Sequence, residues 1–496
     1  MKKYLSVLLL SLLITSCGGG EEKVSIPDKV DPPSIDTTFD YTISPNLDED
    51  GNYIIDIYGL NDFHGSITTS DDLEEPGLIK LGTYFNEKYL QNPGGTILVS
   101  TGDMWQGSAD SNITKGQMLT VMMNQLNFEA MALGNHEFDW SDELIYENAK
   151  IANFPFLGAN IIDKRTNERA DFADGSTLVT RGDFTLGIIG TIGSELERSI
   201  MPSYVENYEF IDPLDSVNEE ALKLKAAGAQ AIILLDHDGW VSPSFTQREI
   251  INSGHIDAVF SGHTHTLDNQ MIEAVPVVQS TGYGREIMYV QLKVAKDSGV
   301  VSAFGDVIDS KTYVSGLADD EDIKYIFDYY NEQLIAPVKD EVVGSLRKDM
   351  NEDALTNMAT KSILEAAKKI DSEVVAAAHN FGGIRVDSLP KGQITYGDIY
   401  KAVPFDNTIA VFELTGAQIL SIRSGNRIIL EEGLKLDNNT KYKIALISYI
   451  YEYNRLPVEL ALFVMELYTR DYLADLFRSK KNINPDEYAH GNINMV

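Results

Sequence analysis

Five times in the first half of this chain, a short β-forming apolar run stops at a loop rich in histidine or acid. Ile54–Tyr58 leads to Asn61-Asp62-Phe63-His64-Gly65, and Thr96–Ser100 to Thr101-Gly102-Asp103. Ala130–Leu133 leads to Gly134-Asn135-His136-Glu137-Phe138-Asp139, Ala231–Leu235 to Asp236-His237-Asp238-Gly239, and Ile256–Ser261 to Gly262-His263-Thr264-His265. Between the first three runs, Leu78–Tyr89 and Gln117–Leu126 read as helices. Strands alternating with helices build an α/β layered sheet, whose strand-end loops gather along one edge. One such loop is equally a solvated turn. Five on one edge constrain fold and chemistry together.

The rarer residues follow the same loops. Of the 8 histidines, His64, His136, His237, His263 and His265 fall in them, and all 3 tryptophans (Trp105, Trp140, Trp240) lie inside or beside them, as an aromatic rim would. Asp62 and His64, one residue apart on an extended chain, project to the same side and can meet one ion. Asp62, His64, Asp103, Asn135, His237, His263 and His265 offer more donors than a single catalytic ion uses, and suit two ions sharing a carboxylate. Asp103, in the central loop, is the natural shared group. Mixed nitrogen and oxygen donors point to Zn, Mn or Fe rather than a pure Ca or Mg site. Paired ions roughly 4 Å apart clamp a phosphoryl group and make hydroxide from a bridging water at neutral pH. Asp139, three residues after His136, can hold that histidine as a proton donor.

Asn-Asp-Phe-His-Gly, Gly-Asp-x-x-x-Gly-Ser, Gly-Asn-His-Glu-Phe-Asp and Gly-His-Thr-His follow in that order between about Tyr53 and Asp309. They resemble the calcineurin-like metallophosphoesterases and, within them, the 5′-nucleotidase family. The resemblance implies a four-layer α/β/β/α sandwich followed by a smaller α/β substrate-binding domain. It implies that Asp62, His64, Asp103 and His265 hold one ion, and Asp103, Asn135, His237 and His263 the other. It also implies that His136, oriented by Asp139, stabilises the transition state or protonates the leaving oxygen. Asp236 stands where the family usually has a small Ser. It reads as a help to metal binding, an orienting carboxylate or a solvated bystander.

In the second half, Gly316–Val343 is acidic and then helical in period at Ile323, Ile326, Phe327, Tyr330 and Leu334, the place of the family's linking helix. Glu352–Lys368 reads as a helix. Asp371–Ala378 reads as a strand entering His379-Asn380-Phe381-Gly382-Gly383-Ile384-Arg385, where glycines beside Asn and Arg suit a phosphate or sugar. By resemblance to the 5′-nucleotidase C-terminal domain, Asn380 and Arg385 contact substrate, Phe405 forms one face of an aromatic clamp on a base, and Tyr449 can supply the second face. The chain departs from the family here. Asn351 replaces an expected Arg, and Ser448-Tyr449-Ile450-Tyr451-Glu452-Tyr453-Asn454-Arg455 replaces an aromatic and a Gly-Gly-Asp-Gly ribose turn. Tyr451 and Tyr453 read either as replacement stacking residues or, the favoured reading, as outward positions of an alternating strand.

Lys2-Lys3, the apolar Leu5–Ile14 and the lipobox-like Ile14-Thr15-Ser16-Cys17 read as an export signal. Cys17 is the chain's only cysteine, as expected of a residue kept for acylation. The expected order is signal peptide 1–17, flexible tether 18–50, catalytic domain 51–315, linking helix 316–343 and substrate domain 344–496, in a protein lipid-anchored to the bacterial cell envelope. A net charge of −35 repels nucleic acid and anionic lipid, so membrane contact is expected through the anchor alone. The expected function is release of phosphate from extracellular nucleotides by a two-metal hydrolase. The altered nucleoside pocket keeps a cyclic nucleotide, a nucleotide sugar or another phosphoester open as substrate. A non-catalytic surface binding lipoprotein is the reading from a different class.

Overall fold

In the computed structural model, which describes residues 39–70, 74–296 and 299–496, the fold grows outward from the strand Tyr53–Leu60. Cys17, the export signal and most of the tether lie outside the described residues. Tyr53–Leu60 pairs in parallel with Thr96–Ser100, which continues through Phe128–Ala132 to Phe156–Leu157; the antiparallel hairpin Glu286–Ala295 and Gly299–Asp309 lies on its other side. A second sheet runs Asp268–Ile272, Val275–Gln279, Ala258–Ser261, Ala231–His237, Phe184–Ile192, Ser176–Arg181, and is parallel through its middle strands.

Side-chain alternation places the layers. Ile55, Ile57, Ile97 and Val99 meet Ile188, Ile233, Leu235 and Phe260 in the core between the sheets. Residues of opposite phase face outward. Tyr58 packs against Tyr84 and Phe85 of the helix Leu78–Gln91, while Ile189, Ile232 and Leu234 pack beneath Val217, Ala221 and Leu224 of Pro213–Ala226. Strands covered on both faces read as continuous apolar runs, which is why their ends were conspicuous in the sequence. The result is the expected four-layer α/β/β/α sandwich.

Helical backbone then runs unbroken through Glu321–Tyr330, Asn331–Ile335 and Ala336–Lys339, the middle stretch in π geometry. Pro337 has no N–H to close the preceding α-turn, and the widened turn slips the apolar face by one residue. Ile335 is therefore buried where the period pointed to Leu334. Beyond it lies the smaller α/β domain, a five-stranded sheet ordered Asn426–Leu430, Val374–Asn380, Lys441–Ile447, Ile409–Thr415, Phe463–Met465. Ile363, Leu364 and Ala367 of the helix Glu352–Ile370 cover this sheet, while its Leu355, Met358 and Ala359 pack on Leu473, Ala474 and Phe477 of Thr469–Lys480.

One sequence expectation fails here. Ser448–Tyr453 is a helix, not an alternating strand. The Tyr-x-Tyr-x-Tyr period suggests a strand, but Asn407 Oδ1 accepts from Ser448 Oγ at 3.0 Å and from the Tyr449 N–H at 3.2 Å, which caps a helical turn. Tyr449 and Tyr453, four apart, then lie ring to ring at 4.7 Å, and Tyr451 turns into the core.

Candidate metal centre and catalytic site

Strand Tyr53–Leu60 ends before Asp62, so extended-chain alternation does not bring Asp62 and His64 together. Both sit in the left-handed region, with φ 47° and 49°, as do Asp103 (52°), His263 (70°) and His265 (50°). Each such residue costs on the order of 1–3 kcal/mol and persists only where its surroundings enforce it. Bonds between the loops provide that enforcement. The Asp62 N–H donates to the Gly102 carbonyl and the His64 N–H to the Asp103 carbonyl, both at 3.0 Å. The His263 N–H reaches Asp62 Oδ2 at 2.9 Å, and the His136 N–H reaches Asp103 Oδ1 at 2.8 Å. Glu137 is a hub, its carboxylate accepting from the N–H groups of Asp103 (2.8 Å), Met104 (2.9 Å) and Gly134 (2.8 Å). Gly134 has to be glycine, because a Cβ there would lie 2.2 Å from Asp103 Oδ1.

Within this frame the donor atoms face one another. His237 Nδ1 lies 2.7 Å from the Thr101 carbonyl and must donate, which leaves the Nε2 lone pair 3.2 Å from both Asn135 Oδ1 and Asp103 Oδ2. His263 Nδ1 reaches the same Asn135 oxygen at 3.0 Å. His64 Nδ1 likewise donates to the Gln106 carbonyl at 2.7 Å, leaving Nε2 3.2 Å from Nε2 of His265, itself 3.4 Å from Asp62 Oδ1. Acceptors converging this way need a cation between them. Burial opposes charge on His237, yet the Asp103 carboxylate pushes its pKa up to about 10. The ligand atoms of Asp62, His64 and His265, and those of Asp103, His237 and His263, each lie within 4.8 Å of one another. This donor set fits divalent cations.

His136 joins the group from above. Its Nδ1 is 2.6 Å from Asp139 Oδ2, and although burial opposes charge, Asp139 and Asp103 raise its pKa. Both residues line a cavity of about 500 Å³ with Asp103, Asn135, His263 and His265. The second domain closes this cavity with Asn380, Arg385, Phe405 and Tyr449. The Phe405 ring stacks on His136 at 6.0 Å and 29°, and the Arg385 guanidinium lies 5.9 Å over Phe405. Asn351, standing for the expected Arg, is engaged elsewhere, capping Glu352–Ile370 by accepting the Ala354 N–H at 3.0 Å. The sequence reading missed Tyr283, whose ring is 5.3 Å from His64 and 5.4 Å from His265. Its setting in Thr-Gly-Tyr-Gly, directly after a strand, carried the same strand-end signal as the other loops. Met201 and Tyr204, also on the cavity wall, carried none.

Two further expectations are corrected. The tryptophans form no rim, since all three are buried. Asp236 is not a solvated bystander, nor does it face the donor cluster. Buried, it accepts from Thr191 Oγ1 and Trp240 Nε1, both at 2.6 Å. Trp240→Phe should therefore remove one of these two short hydrogen bonds and lower stability by about 1–3 kcal/mol in urea denaturation, with bound metal unchanged. A loss of metal instead would place Asp236 in the metal site.

Strand order, strand-end loops and donor set together fit a metal-dependent phosphoester hydrolase. The calcineurin-like phosphoesterase family matches residues 55–267, and the 5′-nucleotidase, C-terminal domain matches residues 335–424. With both matches in this order, the chain is similar to 5′-nucleotidases along both halves. Endonuclease YhcR of Bacillus subtilis (strain 168) is 27% identical over 408 residues, which is 74% of this chain but only 32% of that protein. The 5′-nucleotidase of Homo sapiens is 26% identical over 418 residues, 74% of this chain and 71% of the relative. The crystal structure of a 5′-nucleotidase precursor from Thermus thermophilus superposes with a TM-score of 0.72 over 87% of this chain and 97% of its own, a likeness of fold at 19% identity.

Proposed function

We propose that the chain releases inorganic phosphate from nucleotides outside the cell, as a two-ion phosphohydrolase of the 5′-nucleotidase type. The observation that carries this reading is one cavity wall on which the His136–Asp139 pair meets the donors Asp103, Asn135, His263 and His265, faced by Arg385 and Phe405. Asp62, His64, Asp103 and His265 would hold one ion, and Asp103, Asn135, His237 and His263 the other. Bound divalent ions supply the Lewis acidity that polarises a phosphoryl group and acidifies water.

The chain's own residues position and protonate. Asp139 accepts the Nδ1 proton of His136, so Nε2 is the atom that donates to a phosphoryl or leaving-group oxygen as charge builds there. Arg385 adds a fixed positive charge that suits a phosphoryl group, and Phe405 with Tyr449 offers ring faces to a base. The carbonyls of Thr101 and Gln106 hold His237 and His64 in the tautomers that leave Nε2 free for an ion. Residues 51–315 would be the catalytic domain and 344–496 the substrate domain, joined by 316–343, with Cys17 carrying a lipid anchor at the cell envelope.

The name of the human relative supports a nucleotide, and that of YhcR a phosphodiester. A second reading, the same chemistry on a cyclic nucleotide, nucleotide sugar or other phosphoester, is favoured by the helix Ser448–Tyr453 standing in place of the ribose turn. Phosphate release from AMP, cyclic nucleotides, UDP-sugars and an aryl phosphate separates the two. Hydrolysis of the aryl ester without AMP would remove the nucleotidase label and keep the enzyme.

A further inference from the structure

Lys115 stands just before the helix Gln117–Gln125 and reaches out of the sandwich into the second domain. Its Nζ lies 2.5 Å from Oδ2 of Asp406. The other carboxylate oxygen, Oδ1, lies 2.5 Å from Arg470, whose guanidinium also donates to the carbonyls of Phe405 at 3.1 Å and Pro404 at 3.4 Å. These side chains are largely buried, 18% exposed for Lys115, 11% for Asp406 and 5% for Arg470. Aromatic rings hold both cations, Lys115 over Trp140 at 4.8 Å and Arg470 over Tyr400 at 4.1 Å. Trp140 follows Asp139 directly, and Asp406 follows Phe405 directly. The triad thus joins the backbone beside the His136–Asp139 pair to the turn that stacks Phe405 on His136.

We propose that Asp406 is a positioning residue: by bridging Lys115 and Arg470 it locks the Phe405 turn of the second domain across His136, and so sets how tightly substrate is held. This rests on the reading of the cavity as the substrate site. The two arms of the bridge differ. Arg470 and Asp406 belong to one domain, whereas Lys115–Asp406 joins the two, so only the second arm would break if the domains moved apart. Without the carboxylate, two buried cations would face each other with nothing between them, so the penalty exceeds loss of one pair. No motif points to the triad, because its members come from three distant segments.

Lys115→Met keeps the stem over Trp140 and removes only the charge. It should raise KM for the best-cleaved substrate about tenfold or more, lower kcat by a smaller factor, and enlarge the radius of gyration in small-angle X-ray scattering as the cleft opens. Lys115→Arg should restore KM to within about threefold of the parent. Asp406→Asn carries the same expectation from the other side of the bridge, and decides the matter should Lys115→Met fail to fold. A KM and scattering profile that both match the parent protein in a folded variant would overturn the proposal. So would a kcat loss at constant KM. If no phosphoester is cleaved at all, the functional reading fails separately, and scattering alone decides the lock: expansion supports it and an unchanged profile overturns it.

Discussion

His136→Ala is expected to cut turnover by about 10²–10⁴-fold while the protein keeps its full complement of bound metal. A ring nitrogen of the imidazole lies within 4.8 Å of ligand atoms of His64 and Asp103, yet the proposed ion ligands do not include it. Its Nδ1 is held by Asp139 at 2.6 Å, and the ring lines the cavity beneath Phe405. Only its backbone N–H supports Asp103, and alanine retains that bond. The loss should therefore appear in kcat rather than in metal content, measured as phosphate release alongside elemental analysis of the same sample. Turnover within a fewfold of the parent protein would remove His136 from the chemistry.

Asp103→Ala should be more damaging and in a different way. Its two oxygens serve separate tasks, Oδ1 accepting the His136 N–H at 2.8 Å and Oδ2 facing His237 Nε2 at 3.2 Å. Its ligand oxygen also lies within 4.8 Å of the ligand nitrogens of His237 and His263. If Asp103 is shared by two ions as proposed, its loss should cost several kcal/mol of transition-state stabilisation, on the order of 10³-fold or more in rate, together with a fall in bound metal below two ions per chain. Full metal content in this variant would contradict its place between the ions.

The contrast between these residues explains what the sequence could reveal. Donors at strand ends were legible because the strands are buried on both faces, so each apolar run stops sharply where the chain meets the edge of the sheets. The reason Asp62 and His64 converge was not legible, since left-handed backbone held by bonds to Gly102 and Asp103 has no local signature in a non-glycine residue. The tryptophans misled for a related reason. Proximity to polar loops in sequence says nothing about which way a ring turns, and Trp240 turns inward to bond Asp236. The second domain was readable as far as Phe405, where glycines and strands set the pattern. It became opaque at Tyr449–Tyr453, where an Asn407 cap overrode a strand-like period. The Lys115–Asp406–Arg470 bridge lay beyond reach altogether, as a product of tertiary contact alone.

On the proposed function, the donor groups at one sheet edge bind divalent cations that the chain needs to hydrolyse a phosphoester. The most direct test is to strip the purified full chain with a chelator, then add Mn, Zn or Co stepwise while following bound metal and phosphate release together. No release is expected from the stripped protein, and activity should rise to its plateau as occupancy reaches two ions per chain. Saturated metal sites with no release from any phosphoester, or full activity in stripped protein, would contradict the proposed function.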